Sequence, residues 1–166
     1  MDYKKIIEKL NLVKHPEGGY YRETYRSEGI IPKPVLSEKH TGDRNYSTLI
    51  YYMLVGNDIS CMHRLPSDET WHFYSGSPLL IYTIDNKGTL NTVKLGNNLN
   101  GGEVFHCVIK AGLWFGAEID DKSSYTLMGC TVSPGFHFDD FEIANRGELL
   151  EKFPGHEEII IKLTGN

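Results

Sequence analysis

Residues able to do chemistry gather in one stretch, residues 56–76, which reads GNDISCMHRLPSDETWHFYSG. Two strand-like segments flank the polar turn Pro66-Ser67-Asp68. Side chains alternate faces along a strand, so His63 is expected on one face with Ile59, Cys61 and Leu65, and Glu69 on one face with Trp71 and Phe73. The turn folds the two segments together, and an imidazole then meets a carboxylate on an otherwise apolar surface. A buried carboxylate is costly unless it is hydrogen-bonded, metal-bound or protonated, which marks the stretch as a candidate site.

Three chemistries suit these residues. In the first, His63 and Glu69 are catalytic as a metal-free acid/base pair: imidazole takes a proton near neutral pH and returns it. Desolvation by Trp71 and Phe73 raises the Glu69 pKa, whereas a charged His63 lowers it. In the second, a metal binds His63 and Glu69 with His72 as third donor; a regular strand turns His72 away from Glu69, so a β-bulge is required. His106 and His137 are further donors without supporting spacing. In the third, Cys61 and His63 act as a thiolate–imidazole pair. Each has a structural alternative. The polar pair fixes strand register, Cys61 is a small buried side chain, and Trp71 and Trp114 are core.

The elements that must carry these residues follow in chain order. Residues 3–12 predict a short amphipathic helix on the spacing of Ile6, Ile7 and Leu10. Residues 20–27 predict a strand with Tyr21, Glu23 and Tyr25 on one face and Tyr20, Arg22, Thr24 and Arg26 on the other. The face with Arg22 and Arg26 suits an anion or a partner's carboxylate, and equally a solvated ion-paired surface. Residues 28–45 predict a long loop, broken by Pro32, Pro34 and Gly42. The apolar strand at residues 46–55 sends either Tyr51 or Tyr52 into a central cavity, and Tyr52 is taken as a ligand contact with Cys61, Trp71, Phe73 and Arg22. Further strands are expected at residues 79–84, 90–95, 103–109, 113–119 and 125–133, separated by tight turns. The carboxyl end predicts a partly helical segment at residues 141–150. A last helix is expected from Pro154, with Ile159, Ile160 and Leu163 as its apolar stripe. Both helical segments are expected to cap the barrel.

Composition sets limits. At 166 residues, one domain over residues 1–166 is the default, large enough to bury a core without disulfides. The formal net charge of −5, with both signs interspersed, and the lack of a basic patch speak against nucleic-acid partners. No apolar stretch reaches membrane length, and the amino terminus MDYKKIIEKL does not look like a signal peptide. Three widely spaced cysteines, Cys61, Cys107 and Cys130, give neither a disulfide framework nor a zinc pattern. A reduced, cytoplasmic protein is expected.

His63, Glu69 six positions on, and Gly76 seven further match the first motif of the cupin superfamily, His-x-His, three or four residues, Glu, six residues, Gly, with Leu65 in place of the second histidine. Lys110-Ala111-Gly112-Leu113-Trp114-Phe115 resembles the second motif, with Phe115 in place of its histidine. By that match Phe115 points into the barrel, where it joins the ligand contacts. Four stretches resemble the uncharacterised cupin-5 (DUF985) family: HPEGGYYRETYRS from His15, HRLPSDETWHFYSG from His63, AGLWFGAE from Ala111 and VSPGFHFDDFEIA from Val132. The resemblance implies an all-β fold, a double-stranded β-helix (cupin, jelly-roll) barrel with a short N-terminal helix and C-terminal capping helices, and a homodimer. It also implies a small-molecule ligand in the barrel. The chain is similar to the dTDP-sugar epimerases, cupins that use a barrel histidine without metal, and His63 is carried over as base. Their second catalytic partner and nucleotide-binding arginines have no counterpart; Arg22, Arg26, Arg44 and Arg64 are candidate anion contacts only. The leading expectation is a sugar or sugar-phosphate isomerase or epimerase working by proton transfer, with no cofactor. The alternatives are a non-catalytic small-molecule binder and a divalent-metal enzyme with a reduced ligand set.

Overall fold

A computed structural model describes residues 2–165. The chain opens with α1 (Tyr3–Leu10), capped by the Asp2 carboxylate, which accepts from the Lys4 N–H at 3.0 Å. It ends two residues earlier than its apolar spacing suggests, because Asn11 turns left-handed at φ 50° and its N–H closes on the Glu8 carbonyl. The short β1 (Val13–Lys14) leads to a tight turn and β2 (Tyr20–Arg26). The expected long loop holds a small ribbon of β3 (Ile30–Ile31) and β4 (Arg44–Asn45).

Nine further strands complete the chain: β5 (Thr48–Val55), β6 (Ile59–Arg64), β7 (Asp68–Gly76), β8 (Leu79–Ile84), β9 (Leu90–Leu95), β10 (His106–Ile109), β11 (Trp114–Ile119), β12 (Tyr125–Ser133) and β13 (Glu142–Ile143). They form a six-stranded sheet, β1-β2-β5-β12-β7-β10, facing a five-stranded one, β13-β6-β11-β8-β9. Between the sheets lies a buried core that includes Tyr52, Leu54, Trp71, Ile81, Phe115 and Met128. This is the jelly-roll barrel that the family resemblance implies, and it agrees with the short strands and tight turns of the sequence.

Helices cover apolar outer faces. α2 (Arg146–Lys152) and α3 (Glu157–Leu163) pack Leu149, Phe153, Ile160 and Leu163 on Met62, Tyr82, Ile84 and Trp114 of the five-stranded sheet. α1 sets Ile6 against Met53 on the other sheet. The carboxyl end differs in detail from its sequence pattern. Glu142 and Ile143 add a strand to β6, α2 starts only after the Asn145 cap, and Pro154 opens a single 3-10 turn before α3. Among the described residues, no helix is long and apolar enough to cross a membrane.

Three β-bulges re-aim the barrel strands. Between β2 and β5 the pairing passes from Glu23↔Ile50 to Tyr25↔Leu49, so Thr24 is the extra residue. Between β6 and β11 it passes from Ser60↔Ala117 to His63↔Phe115, adding one residue to β6. Between β7 and β12, Tyr74 is extra, between Phe73↔Met128 and Ser75↔Leu127. Past each bulge the alternation of faces is inverted relative to a regular strand.

Candidate functional site

The barrel holds a cavity of about 440 Å³ lined by fifteen residues. Its polar floor is His15, Glu17, His63 and Glu69, all buried. Tyr21, Ile50, Leu65, Val132, Phe136 and Phe138 give apolar walls, and Glu23, Arg26, Cys130 and His137 also line it.

Glu17 sits at the centre of the floor. It belongs to the turn His15-Pro16-Glu17-Gly18-Gly19, which lies so tightly on β6 that a Cβ on Gly18 would fall 2.0 Å from the Ile59 carbonyl oxygen. Gly18 also has φ 117°, a conformation closed to ordinary side chains. The Cys61 N–H donates to the Glu17 carbonyl at 2.8 Å, and the Tyr52 hydroxyl donates to the Gly18 carbonyl at 3.0 Å. The Glu17 carboxylate is thereby fixed: Oε1 accepts from the Ser60 hydroxyl at 3.0 Å, and Oε2 lies 3.3 Å from His63 Nε2.

The hydrogen bonds also fix tautomers. His63 Nδ1 is 2.7 Å from the Cys61 carbonyl, which only accepts, so Nδ1 carries a proton. Its Nε2 and Glu17 Oε2 then share one further proton. His15 is the opposite case: its Nδ1 accepts the Glu17 N–H at 3.2 Å, so the proton of the neutral ring sits on Nε2. Burial pushes the His15 pKa down, with the Glu17 charge opposing and His63 adding to the shift. Glu69 moves the other way. Burial, then the charge of Glu17, pushes it up to about 8, with partial relief from the adjacent Trp71 and Cys130 side chains. Glu69 is therefore a neutral carboxylic acid at pH 7, beside a second carboxylate held by donors. A carboxyl group kept neutral in this way is suited to the acid role.

The sequence-predicted residues divide sharply. His63 and Glu69 both line the cavity, but the partner of His63 is Glu17. Cys61 does not share its face: the β6 bulge turns Ser60 inward with His63, and leaves Cys61 half-buried toward Gly165. Burial raises the Cys61 pKa, which suppresses a thiolate. Tyr52, Trp71, Phe73 and Phe115 are not lining residues; they belong to the barrel core or pack on it. Phe115 lies directly against His63, ring centroids 4.0 Å apart. Arg22 points to the Leu10 carbonyl at 3.1 Å, outside the cavity. The Thr24 bulge instead brings Arg26 to the face of Tyr21 and Glu23. His72 faces away from Glu69, with Thr131 at 3.3 Å and His106 beside it. His15, Glu17, Ser60, Phe136 and Phe138 were not singled out from sequence. The available signal was an acid followed by Gly-Gly, in a stretch already tied to a family.

All four candidate arginines are engaged. Arg26 forms a fork on Glu23, at 2.9 and 2.7 Å, and also donates to Asn45 and the Phe136 carbonyl. Arg64 forks on Glu142 over the Trp114 ring. Arg44 is buried against Asp140, which also accepts from the Thr41 N–H and hydroxyl. That cluster fastens the 28–45 segment to residues just beyond the cavity wall, and His40 bridges Ser37 of the same segment to Ser67 in the turn between β6 and β7.

The fold implies a metal in many barrels of this kind, and the donor set here does not fit one. Leu65 and Phe115 offer no donor atoms where the resemblance places histidines. His63 has its Nδ1 proton on a carbonyl and its Nε2 on Glu17. Among the described residues, no group of three or more His, Cys, Asp and Glu is arranged to hold a metal ion.

Comparison with known proteins agrees with this architecture. The family model described as "Cupin superfamily (DUF985)" matches residues 4–144. The solved structure of protein SO0799 from Shewanella oneidensis is 37% identical, covers 99% of this chain and 98% of its own, and superposes with a TM-score of 0.89. "Uncharacterized protein YML079W" of Saccharomyces cerevisiae is 28% identical over 93% of this chain and 81% of its own length. Oxalate decarboxylase from Bacillus subtilis is similar in fold alone, at 14% identity and a TM-score of 0.55 over 37% of that chain. With the barrel, the first-motif residues and the Pro-Glu-Gly-Gly turn all accounted for, this chain belongs to the DUF985 family of the cupin superfamily.

Proposed function

We propose that the barrel is a metal-independent proton-transfer enzyme, an isomerase or epimerase, for an uncharged sugar or related hydroxylated compound. The observation that carries this reading is the pairing of two unlike acid/base groups in one cavity: the proton-sharing His63–Glu17 pair and the neutral Glu69 carboxyl. With the shared proton held on His63 Nε2, the Glu17 carboxylate takes a proton from a substrate carbon while Glu69 gives one to the substrate oxygen. Glu17 loses its negative charge as Glu69 gains one, so the cavity's net charge is unchanged. Reversal at the opposite face or the neighbouring carbon completes epimerisation or isomerisation.

The charges favour an uncharged substrate over a sugar phosphate. Arg26 is the lining residue with a permanent positive charge, and its guanidinium is committed to Glu23, Asn45 and Phe136. A phosphate would lie near Glu17 and Glu23 without a free cation.

The test is incorporation of solvent deuterium into a panel of unphosphorylated aldoses and ketoses, read by NMR. Wild type is expected to exchange a carbon-bound hydrogen, with the rate down at least ~10²-fold in His63→Ala. Saturable binding without exchange would replace this reading with a non-catalytic binding barrel.

A further inference from the structure

We infer that His15 is a further catalytic residue, a neutral imidazole whose Nε2–H donates to the substrate's carbonyl oxygen, and hence that the substrate is an aldehyde or ketone with a hydrogen on the adjacent carbon. The inference rests on the proton-transfer reading above and names the chemical class it acts on.

The argument starts from where the His15 ring can hold a proton. Its Nδ1 accepts the backbone N–H of Glu17 at 3.2 Å, and a backbone N–H cannot change roles. The proton of the neutral ring must sit on Nε2. No protein group among the described residues accepts from that atom, and it is not among their sealed, unpartnered polar atoms, since Trp71 Nε1 alone is in that state. His15 lines the cavity, so its Nε2 opens onto the space a ligand would fill. A donor left without a protein acceptor at the floor of a pocket is matched by an acceptor on the ligand.

The ring is also held still. Tyr21 meets it edge-on at 4.5 Å, Phe138 stacks on it at 5.9 Å, and Tyr52 and Phe141 close the other sides at 5.9 and 6.0 Å. A donor fixed in direction before the substrate arrives needs no reorganisation as charge develops on the oxygen. Burial favours the neutral ring, and the neighbouring His63 works in the same direction. A neutral imidazole is the better-matched donor to an enolate, because its acidity lies closer to that of the enol than an imidazolium's does.

The step balances. The Glu17 carboxylate, hydrogen-bonded to His63 Nε2–H, takes the proton from the carbon next to the carbonyl, and the C–H electron pair becomes the new C=C bond. The carbonyl π pair moves onto oxygen, where the His15 Nε2–H bond stabilises it and Glu69 supplies the proton. An enol or enediol results, and reprotonation at carbon returns the carbonyl. No oxidant, reductant or second substrate is consumed.

The experiment uses the intact protein and a readout independent of turnover. Ring ¹⁵N shifts of the histidines are followed with pH and during titration with glycolohydroxamic acid, a stable mimic of an enediolate. His15 is expected to remain in the Nε2–H neutral form through the neutral range. Its Nε2 resonance should move on saturation, and the hydroxamate should bind about tenfold more weakly to His15→Phe, which preserves the aromatic cage, than to His15→Gln, which keeps a neutral donor. An Nδ1–H tautomer or an imidazolium at pH 7 would overturn the inference. So would hydroxamate binding that leaves Nε2 unmoved, or no binding at all. A barrel that shows the expected tautomer and titration, yet no solvent exchange with any sugar, would sink the proposed isomerase and leave the donor role of His15 standing.

Discussion

Glu17 Oε2 lies 3.3 Å from His63 Nε2, although one residue comes from the turn between β1 and β2 and the other from β6 in the opposite sheet. The contact depends on a turn that no side chain at Gly18 would permit and on a bulge that rotates Ser60 and His63 to the same side. It places a carboxylate oxygen where His63 can share a proton, and gives the other oxygen to the Ser60 hydroxyl.

Replacing Glu17 with Gln should therefore uncouple His63 while the turn persists. Solvent-deuterium exchange is expected to fall about 10²-fold in Glu17→Gln, the usual scale for losing a positioned acid/base group. Glu17→Asp, which keeps the charge on a shorter arm, should recover part of the rate. Equal rates in wild type and Glu17→Gln would remove Glu17 from the acid/base machinery.

Glu69 predicts a distinct pH signature. Its folded pKa of about 8 stands above the ordinary 4.5, so between those values the folded protein holds a proton that the unfolded chain has released. Stability contributed by this group is thus lost as pH rises from about 4.5, with the loss complete above about 8. At about 1.36 kcal/mol per unit, the full penalty is on the order of 4 to 5 kcal/mol. Glu69→Gln lacks the penalty, so its denaturation free energy relative to wild type should climb across that window and flatten above it. Urea titrations at pH 4.5, 6 and 8.5 measure the difference, and a flat difference would contradict a neutral Glu69. Exchange activity should also decline above about pH 8 as Glu69 loses the proton it donates.

Leu65 and Phe115 supply a converse test. Leu65 faces the cavity and the Phe115 ring abuts His63, so histidines at both positions would surround His63 with donors. The double variant Leu65→His, Phe115→His is expected to bind about one equivalent of a divalent transition metal, since a third and fourth donor complete a four-coordinate site. Wild type, purified without chelator or metal resin, is expected to carry far less than one equivalent. Stoichiometric metal in wild type, lost in His63→Ala, would overturn the metal-independent mechanism.

The barrel strands and their helical caps follow from local rules. The apolar run of residues 46–55, the short strands separated by Gly- and Asp-rich turns and the apolar stripe of the carboxyl end were enough for an all-β sandwich or barrel with helical caps. Side-chain periodicity and turn chemistry are written residue by residue. His63 and Glu69 were legible for the same reason, as polar residues on apolar strand faces. The family resemblance, too, lay in contiguous motifs.

Which groups meet depends on contacts between strands far apart in the chain. Cys61 lost its place beside His63, and Arg26 rather than Arg22 reached the cavity, because single-residue bulges invert the alternation on which both expectations rested. A bulge is fixed by the register of the partner strand, which one strand's sequence does not contain. His15 and Glu17 became part of the site through the same kind of non-local fact. A glycine turn remote in sequence from His63 docks against β6, and the docking, rather than any spacing along the chain, sets their charges, tautomers and partners.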